Sequence, residues 1–352
     1  MKKNSAYREA GVDRNQADRL VSQIFKMTKK QIGLANVRSQ VGGYASLYEL
    51  TPSQWLAAST DGVGTKLKLA FEQDHHHTVG IDLVAMSVND LLCVGATPLF
   101  FLDYFATGKL KNQTAARVLQ GIIQGCRDAK CVLVGGETAE MPGFYQAGEY
   151  DLAGFAVGAL HPKSLLPKKS IKPGDVLIGL PSSGFHSNGY SLLRKLLKEF
   201  KPLSSSPTWM KNKKSLANEL LIPTCLYSKA LLPLISSGKI KGLAHITGSG
   251  FLNVPRMSEE VSYEITLPPL KNRARIFQWL KDASDIPFQE LTQTFNMGVG
   301  MVITVSPKDL KAVLASLKKS GEKPYLLGHT THKRGKCKVI VHDESGRAEL
   351  NY

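Results

Sequence analysis

The sequence predicts a two-domain α/β protein of mixed α+β layers, and three observations carry that prediction. The chain has 352 residues, enough for two domains of ordinary size. Its composition, 43% hydrophobic and 21% charged, supplies a core for both and excludes a disordered chain. Strand-like and helix-like patterns alternate, stop at a Pro- and Lys-rich stretch from His161 to Gly174, and then begin again. The expected domains are residues 1–165 and 171–345.

Within the first domain, Asp13 to Lys30 has helical spacing, with Ala17, Leu20, Val21 and Ile24 on one side. A glycine loop, Val41-Gly42-Gly43-Tyr44, follows, and Trp55 to Thr60 reads as a short strand. Gly80 to Gly95 reads as a helix whose apolar residues nearly encircle it, which implies burial on several sides. Pro98 to Ala106 is an aromatic-rich strand, and Asn112 to Asp128 is an amphipathic helix with Ala115, Leu119, Ile122, Ile123 and Cys126 in phase. Cys131 to Val134 reads as a buried strand, and Asp151 to Leu160 completes the unit. In the second domain the expected order is a strand at Val176–Leu180, a helix at Ser187–Phe200, a helix near Pro223–Ser236 and a strand near Leu243–Ile246. A helix near Arg273–Ala283, a strand at Gly300–Val305, a helix at Pro307–Lys319 and two closing strands follow.

Composition narrows the function classes. The longest apolar stretch, Leu91 to Leu102, falls well short of the ~20 residues a spanning helix needs. Lys2 and Lys3 are followed by polar residues rather than a signal-peptide core, so the expected location is cytoplasmic, with no membrane partner. The five cysteines form no Cys-x-x-Cys pair and read as small core residues. Net charge is +16, but the lysines gather in short clusters (Lys29-Lys30, Lys168-Lys169, Lys211 to Lys214) without interleaved aromatics. That pattern reads as a solvated basic surface rather than a nucleic-acid interface. His75-His76-His77 reads as an exposed loop, because consecutive histidines do not share a face.

Five segments carry candidate chemistry. The first, Asp61-Gly62-Val63-Gly64-Thr65-Lys66, offers a carboxylate for a hard cation, close backbone approach at Gly62 and Gly64, and a hydroxyl and an ammonium for phosphate oxygens. In the second, Asp82 and Asn89 lie two turns apart on one helix face with Asp90 beside them. Carboxylates on a buried helix are costly unless paired or metal-bound, so a cation site is expected there. The third, Gly135-Gly136-Glu137-Thr138, repeats the strand, glycine turn and acidic or hydroxyl side chain. The fourth, Ser183-Gly184-Phe185-His186-Ser187-Asn188, is a loop of small donors entering a helix, equally readable as an N-cap. The fifth delivers His245 to the glycine turn Gly248-Ser249-Gly250. Phosphate loops of the Gly-x-x-x-x-Gly-Lys-Ser/Thr type, dinucleotide fingerprints and nucleophile elbows are absent.

In this order and spacing the five segments resemble the phosphoribosylformylglycinamidine cyclo-ligase (aminoimidazole ribonucleotide synthetase) family. The resemblance runs from Tyr7-Arg8-Glu9-Ala10-Gly11-Val12-Asp13 to about Gly328 and is most specific at Phe100-Phe101-Leu102-Asp103-Tyr104 and Glu137-Thr138-Ala139-Glu140-Met141-Pro142. It departs from the family pattern where Ser249 replaces a glycine, Tyr44 a phenylalanine and Ala45 a glycine. No cysteine precedes Cys93, which separates the chain from the related selenophosphate synthetases.

The resemblance implies an AIR-synthetase-like fold whose N-terminal mixed-sheet domain forms a homodimer. The implied reaction is ATP-dependent closure of formylglycinamidine ribonucleotide to aminoimidazole ribonucleotide. It further implies Mg²⁺ held by Asp61, Asp82 and Asp90, with Asn89 and Glu137 as further ligands. Phosphate binding falls to Gly62, Gly64, Thr65, Lys66, Gly135, Gly136, Thr138, Ser183, Ser187 and Asn188. Asp90, His186 and His245 are the expected catalytic residues, the histidines for proton transfer or for stabilising a phosphorylated intermediate.

Overall fold

The computed structural model describes residues 10–11, 14–28, 34–39, 42–167, 169–200 and 216–352. Asp13, Lys29, Lys30, Val41, Lys168, Lys211 to Lys214 and most of the stretch 7–13 lie outside the described residues. Two sheets form the frame. The first unit contains α1 (Arg14–Thr28), β1 (Ser46–Thr51), β2 (Gln54–Gly62), α2 (Lys66–Glu72), α3 (His77–Cys93), β3 (Thr97–Thr107), α4 (Asn112–Ala129), β4 (Val132–Glu140) and β5 (Tyr150–Leu160). Its strands run in the order β1-β2-β5-β3-β4, antiparallel except for the β3–β4 pair.

The second unit begins with β6 (Val176–Pro181), α5 (Tyr190–Phe200), α6 (Leu216–Leu220), α7 (Ser228–Ser237) and β7 (Ile240–His245). It continues with β8 (Val261–Thr266), α8 (Ile276–Asp282), α9 (Phe288–Thr294), β9 (Val299–Val305), α10 (Leu310–Lys319), β10 (Tyr325–His332), β11 (Lys338–Asp343) and β12 (Gly346–Asn351). Seven strands pair in the order β12-β11-β8-β10-β6-β9-β7. Three strands, not two, close the chain, because β12 folds back on β11 in a hairpin.

Helix α3 ties the two units together. It packs on β2, β3 and β5 below, on α4 beside it, and on β7 and α7 of the second unit. That explains an apolar surface nearly all the way round: thirteen of its residues are buried, including Asp82 and Asn89. The α3–α4 contact is close because glycines meet there. A Cβ on Gly80 would lie 2.2 Å from the Val118 carbonyl oxygen, and one on Gly121 would lie 1.9 Å from that of His77.

Two sequence expectations fail in this unit. Strand β4 is exposed along most of its length rather than buried, because it is the edge of its sheet. His76 is buried rather than looped into solvent, held between the Tyr150 hydroxyl (2.9 Å) and Asp74 (2.9 Å). The sheet face away from α3 and α4 is open, and Phe155, Tyr104 and Val132 stand on it exposed by 43%, 40% and 63%.

Candidate active site

Two ends of α3 carry the acidic residues, and the second unit treats them differently. Near the N-terminal end, the Lys66 Nζ lies 2.7 Å from Asp82 Oδ2, both side chains fully buried. The ammonium also donates to the carbonyls of His186 (3.0 Å) and Ile222 (2.8 Å) and faces the Tyr190 ring at 5.5 Å. The other Asp82 oxygen accepts from the Thr224 amide (2.7 Å) and hydroxyl (2.6 Å). Burial pulls the Lys66 ammonium below its ordinary pKa, opposed by the Asp82 carboxylate. The sequence reading assigned Asp82 to a metal and Lys66 to phosphate; the structure pairs them with each other within the first unit, and the pair is then bound across the seam by the His186 and Ile222 carbonyls and by Thr224.

At the other end of α3 the charges are open. Asp90, with its side chain 16% exposed, takes a hydrogen bond at 2.9 Å from Nδ1 of His245, which arrives at the end of β7 and is fully buried. Asp61, at the end of β2, accepts from the Gly62 amide at 2.7 Å. Burial first, and then the neighbouring Asp90 carboxylate, raise its pKa to about 6, while the Gly62 bond and His245 pull it down. The Asp90 carboxylate repels that of Asp61, and a cation would relieve this repulsion. Asn89 does not join them: it donates to the Cys225 carbonyl (2.8 Å) and accepts from the Tyr227 amide (3.2 Å).

His186 is fully buried and sits at φ 61°, in the left-handed region. The Ser183 and Cys225 amides both point at its Nε2 (3.4 and 3.5 Å), which puts the ring proton on Nδ1. Burial lowers its pKa well below the ordinary value, and His245 and Lys66 add to that. A neutral, enclosed imidazole holds loops together; it does not reach solvent to exchange protons. Neighbouring donors are likewise engaged. Ser183 donates to the Pro223 carbonyl (2.6 Å), Ser187 meets the Thr224 hydroxyl (3.3 Å), Asn188 faces the Met86 sulfur (3.9 Å), and Thr65 meets Ser191 (3.0 Å).

The structure does not bring the third segment to Asp61. Asp61, Gly154, Asp103 and Gly136 form one row across the sheet, so β4 lies three strands from β2, roughly 14 Å at ~4.8 Å per strand. Gly135, Gly136, Glu137 and Thr138 are exposed there. Gly136 has a local reason to be glycine, since a Cβ would lie 2.3 Å from Asp103 Oδ1. Among the described residues, no group of three or more His, Cys, Asp or Glu side chains is arranged to hold a metal. Asp61 and Asp90 supply hard oxygen donors, and a small dication bound chiefly by nucleotide phosphates needs only one or two such carboxylates.

Residues 42–160 match the family described as AIR synthase related protein, N-terminal domain, and residues 172–340 match its C-terminal domain. A curated phosphoribosylformylglycinamidine cyclo-ligase of Thermoanaerobacter sp. is 48% identical over 333 residues, covering 94% of this chain and 98% of the relative. One from Chromobacterium violaceum is 46% identical over 334 residues, covering 94% and 96%. The chain belongs to the phosphoribosylformylglycinamidine cyclo-ligase family.

Solved structures agree on the fold. A Thermus thermophilus protein superposes with a TM-score of 0.66 at 19% identity, covering 95% of this chain and 97% of its own. PurL of Thermotoga maritima complexed with ATP superposes at 0.58 and 14% identity, covering 87% of this chain and 45% of its own. The two-domain AIR-synthetase-like architecture expected from sequence is therefore the observed one.

For this cyclo-ligase family member, sequence reading missed the segment 222–227, most of which it placed at the start of a helix near Pro223–Ser236. It has no regular secondary structure, and α7 starts only at Ser228. Its backbone and Thr224 receive Lys66, Asp82, Asn89 and Ser183, so it is the strap that joins the two units. Pro223 gave no warning, since proline is well tolerated at the first position of a helix. Arg256 and Tyr44 were also missed as a pair: the guanidinium lies 4.7 Å over the Tyr44 ring, and the Tyr44 hydroxyl donates to the Asn253 carbonyl at 2.9 Å.

Proposed function

We propose that this protein closes the imidazole ring of 5-aminoimidazole ribonucleotide from formylglycinamidine ribonucleotide, with ATP giving ADP and phosphate, in purine biosynthesis. The observation that carries the reading is the 48% identity to a curated cyclo-ligase over 94% of the chain. Asp61 and Asp90, whose carboxylates repel one another, supply a site of suitable chemistry.

A formamide oxygen is a poor leaving group. Transfer of the γ-phosphoryl of ATP to it makes a good one; the amidine nitrogen then attacks the formyl carbon and phosphate departs. Such a transfer depends mainly on positioning and charge neutralisation. In our reading Asp61 and Asp90 hold Mg²⁺, which when bound supplies positive charge opposite the ATP phosphates. His245 fixes the rotamer of Asp90 from behind, across the seam. Gly62, Gly64 and Thr65 lie directly after Asp61 and are the proposed phosphate contacts; Gly64 takes φ 68° in open space. Asp82, Lys66, Asn89 and His186 hold the two units in register around them.

The open face of the first sheet, on which Phe155, Tyr104 and Val132 are exposed, supports a homodimer through that face. No helix among the described residues is long and apolar enough to cross a membrane. All five cysteines are free, which suits a reducing cytoplasm.

The deciding experiment supplies purified protein with formylglycinamidine ribonucleotide, ATP and Mg²⁺ and follows ADP and aminoimidazole product. Both should appear in equal amounts. If ATP survives when this substrate is supplied, the assignment fails.

A further inference from the structure

A cleft of about 720 Å³ opens between the two units, lined by Gly43, Tyr44 and Cys93 of the first and by Arg256 and Ser258 of the second. None of the residues assigned above to metal or phosphate lines it. Two arginines face it. Arg38 is committed, with Glu49 at 2.5 Å. Arg256 is exposed to the cleft, and among the described residues no carboxylate lies within ion-pair distance of it. Glu259 and Glu260 also line the cleft, both exposed.

The guanidinium is held in place all the same. It lies 4.7 Å over the Tyr44 ring, a cation–π geometry, and Tyr44 is itself buried and pinned by its bond to the Asn253 carbonyl. A fixed guanidinium without a carboxylate partner presents its planar fork to whatever anion enters, and that fork matches phosphate oxygens two at a time. The cleft also abuts the open acidic end of α3. Cys93, on its wall, follows Asp90 by three residues, one turn along the same helix face, and Arg256 lies within electrostatic reach of Asp90.

We infer that this cleft seats the 5′-phosphate of the ribonucleotide substrate, with Arg256 as its charge partner and Tyr44 as the platform that aims the guanidinium. A phosphomonoester held there leaves the rest of the nucleotide to extend toward Asp90, where the formyl group meets the nucleotide phosphates. This assignment rests on the cyclo-ligase reading and adds the place where the substrate is anchored. It also separates the two phosphate-bearing substrates: ATP at the Asp61 turn, the ribonucleotide at Arg256.

Equilibrium binding of three probes tests it: formylglycinamidine ribonucleotide, its 5′-dephosphorylated nucleoside, and ATP with Mg²⁺. The unsubstituted protein should prefer the ribonucleotide to the nucleoside. Arg256→Met should weaken the ribonucleotide by about 10- to 100-fold, the worth of hydrogen bonds to a charged group. It should leave nucleoside and ATP binding unchanged. Arg256→Lys, which keeps the charge but not the fork, should fall between, and Tyr44→Phe should lose less than Arg256→Met because the ring remains. Thermal melting of each variant checks the fold. Unchanged ribonucleotide affinity in a folded Arg256→Met, or a loss that falls on ATP instead, overturns the proposal while leaving the cyclo-ligase reading intact. Failure of the unsubstituted protein to bind the ribonucleotide at all overturns both.

Discussion

The two ends of α3 present the same residue type to the same neighbouring unit with opposite results. At Asp82 the carboxylate is fully buried, matched by Lys66 at 2.7 Å, and capped by the amide and hydroxyl of Thr224. At Asp90, two turns on, the carboxylate keeps an exposed edge, has a histidine rather than a lysine behind it, and repels a second carboxylate, Asp61. A buried carboxylate that is paired and hydrogen-bonded is satisfied and has nothing left to offer a ligand. One that faces its own kind across a partly open site still lacks a counter-charge. Sequence position alone makes Asp82 and Asp90 look equivalent; burial and partners divide them into a latch and an open end, which we propose as the reactive one.

The largest effects should appear when each end is broken separately. Lys66→Met leaves Asp82 charged and buried without its partner, and should cost about 3–5 kcal/mol of stability, read by urea unfolding. Adding Asp82→Leu should recover much of that loss, since replacing both members of a buried pair is close to neutral. A double variant no more stable than the single one would show that the pair is not the latch. Asp90→Asn should do the reverse: turnover falls about 10²–10³-fold, the range for losing one charge-stabilising group, while the melting temperature stays near that of the parent. Turnover within a few-fold of the parent would remove Asp90 from the reactive end.

How much of this was legible in the sequence follows from where the information resides. The near-continuous apolar surface of the Gly80–Gly95 segment declared a helix buried on several sides, and His77–Cys93 is one. The acidic residues on it were visible as a costly cluster, but not which of them had partners. Asp82 is matched by Lys66 and Thr224 and Asp90 by His245, while Lys66 and Asn89 are held by carbonyls of 222–227; these partners are distant in sequence from α3 or are backbone groups, which leave no trace in residue identity. The strand at Val132 was legible as a strand and misread as buried, because an apolar run looks the same in a sheet centre and on an open edge. His76 was misread for the opposite reason: its burial depends on Tyr150, which is distant in sequence. Tyr44 and Arg256 form their contact between the first unit and the second, beyond the reach of any local pattern.

A smaller test isolates one bond of the latch. Thr224→Val removes the hydroxyl that donates to Asp82 Oδ1 at 2.6 Å and keeps the amide bond and the side-chain shape. The expected loss is about 1–3 kcal/mol in urea unfolding, with turnover retained. A drop in turnover beyond a few-fold, with stability unchanged, would mean that the latch and the reactive end are not separable.

The gentlest probe of the contrast is pH, acting at Asp61. Its pKa is raised from the ordinary 3.8 to about 6, mainly by burial and then by Asp90. The folded protein therefore holds this proton more tightly than the unfolded chain does. Stability from the protonated form is complete below pH 3.8 and is lost as pH rises through about 6. Without divalent cation, the melting temperature of the parent protein should fall over that window relative to Asp61→Asn, which has no proton to lose. Mg²⁺ should remove the difference above pH 6, since a dication between Asp61 and Asp90 replaces the missing proton with positive charge. Parallel melting curves for the two proteins without Mg²⁺ would place the Asp61 carboxylate outside the repulsive pair. A parent curve that Mg²⁺ leaves unchanged would place the metal elsewhere. The latch end offers the control: Asp82 already has its counter-charge in Lys66, so Mg²⁺ should have no effect there.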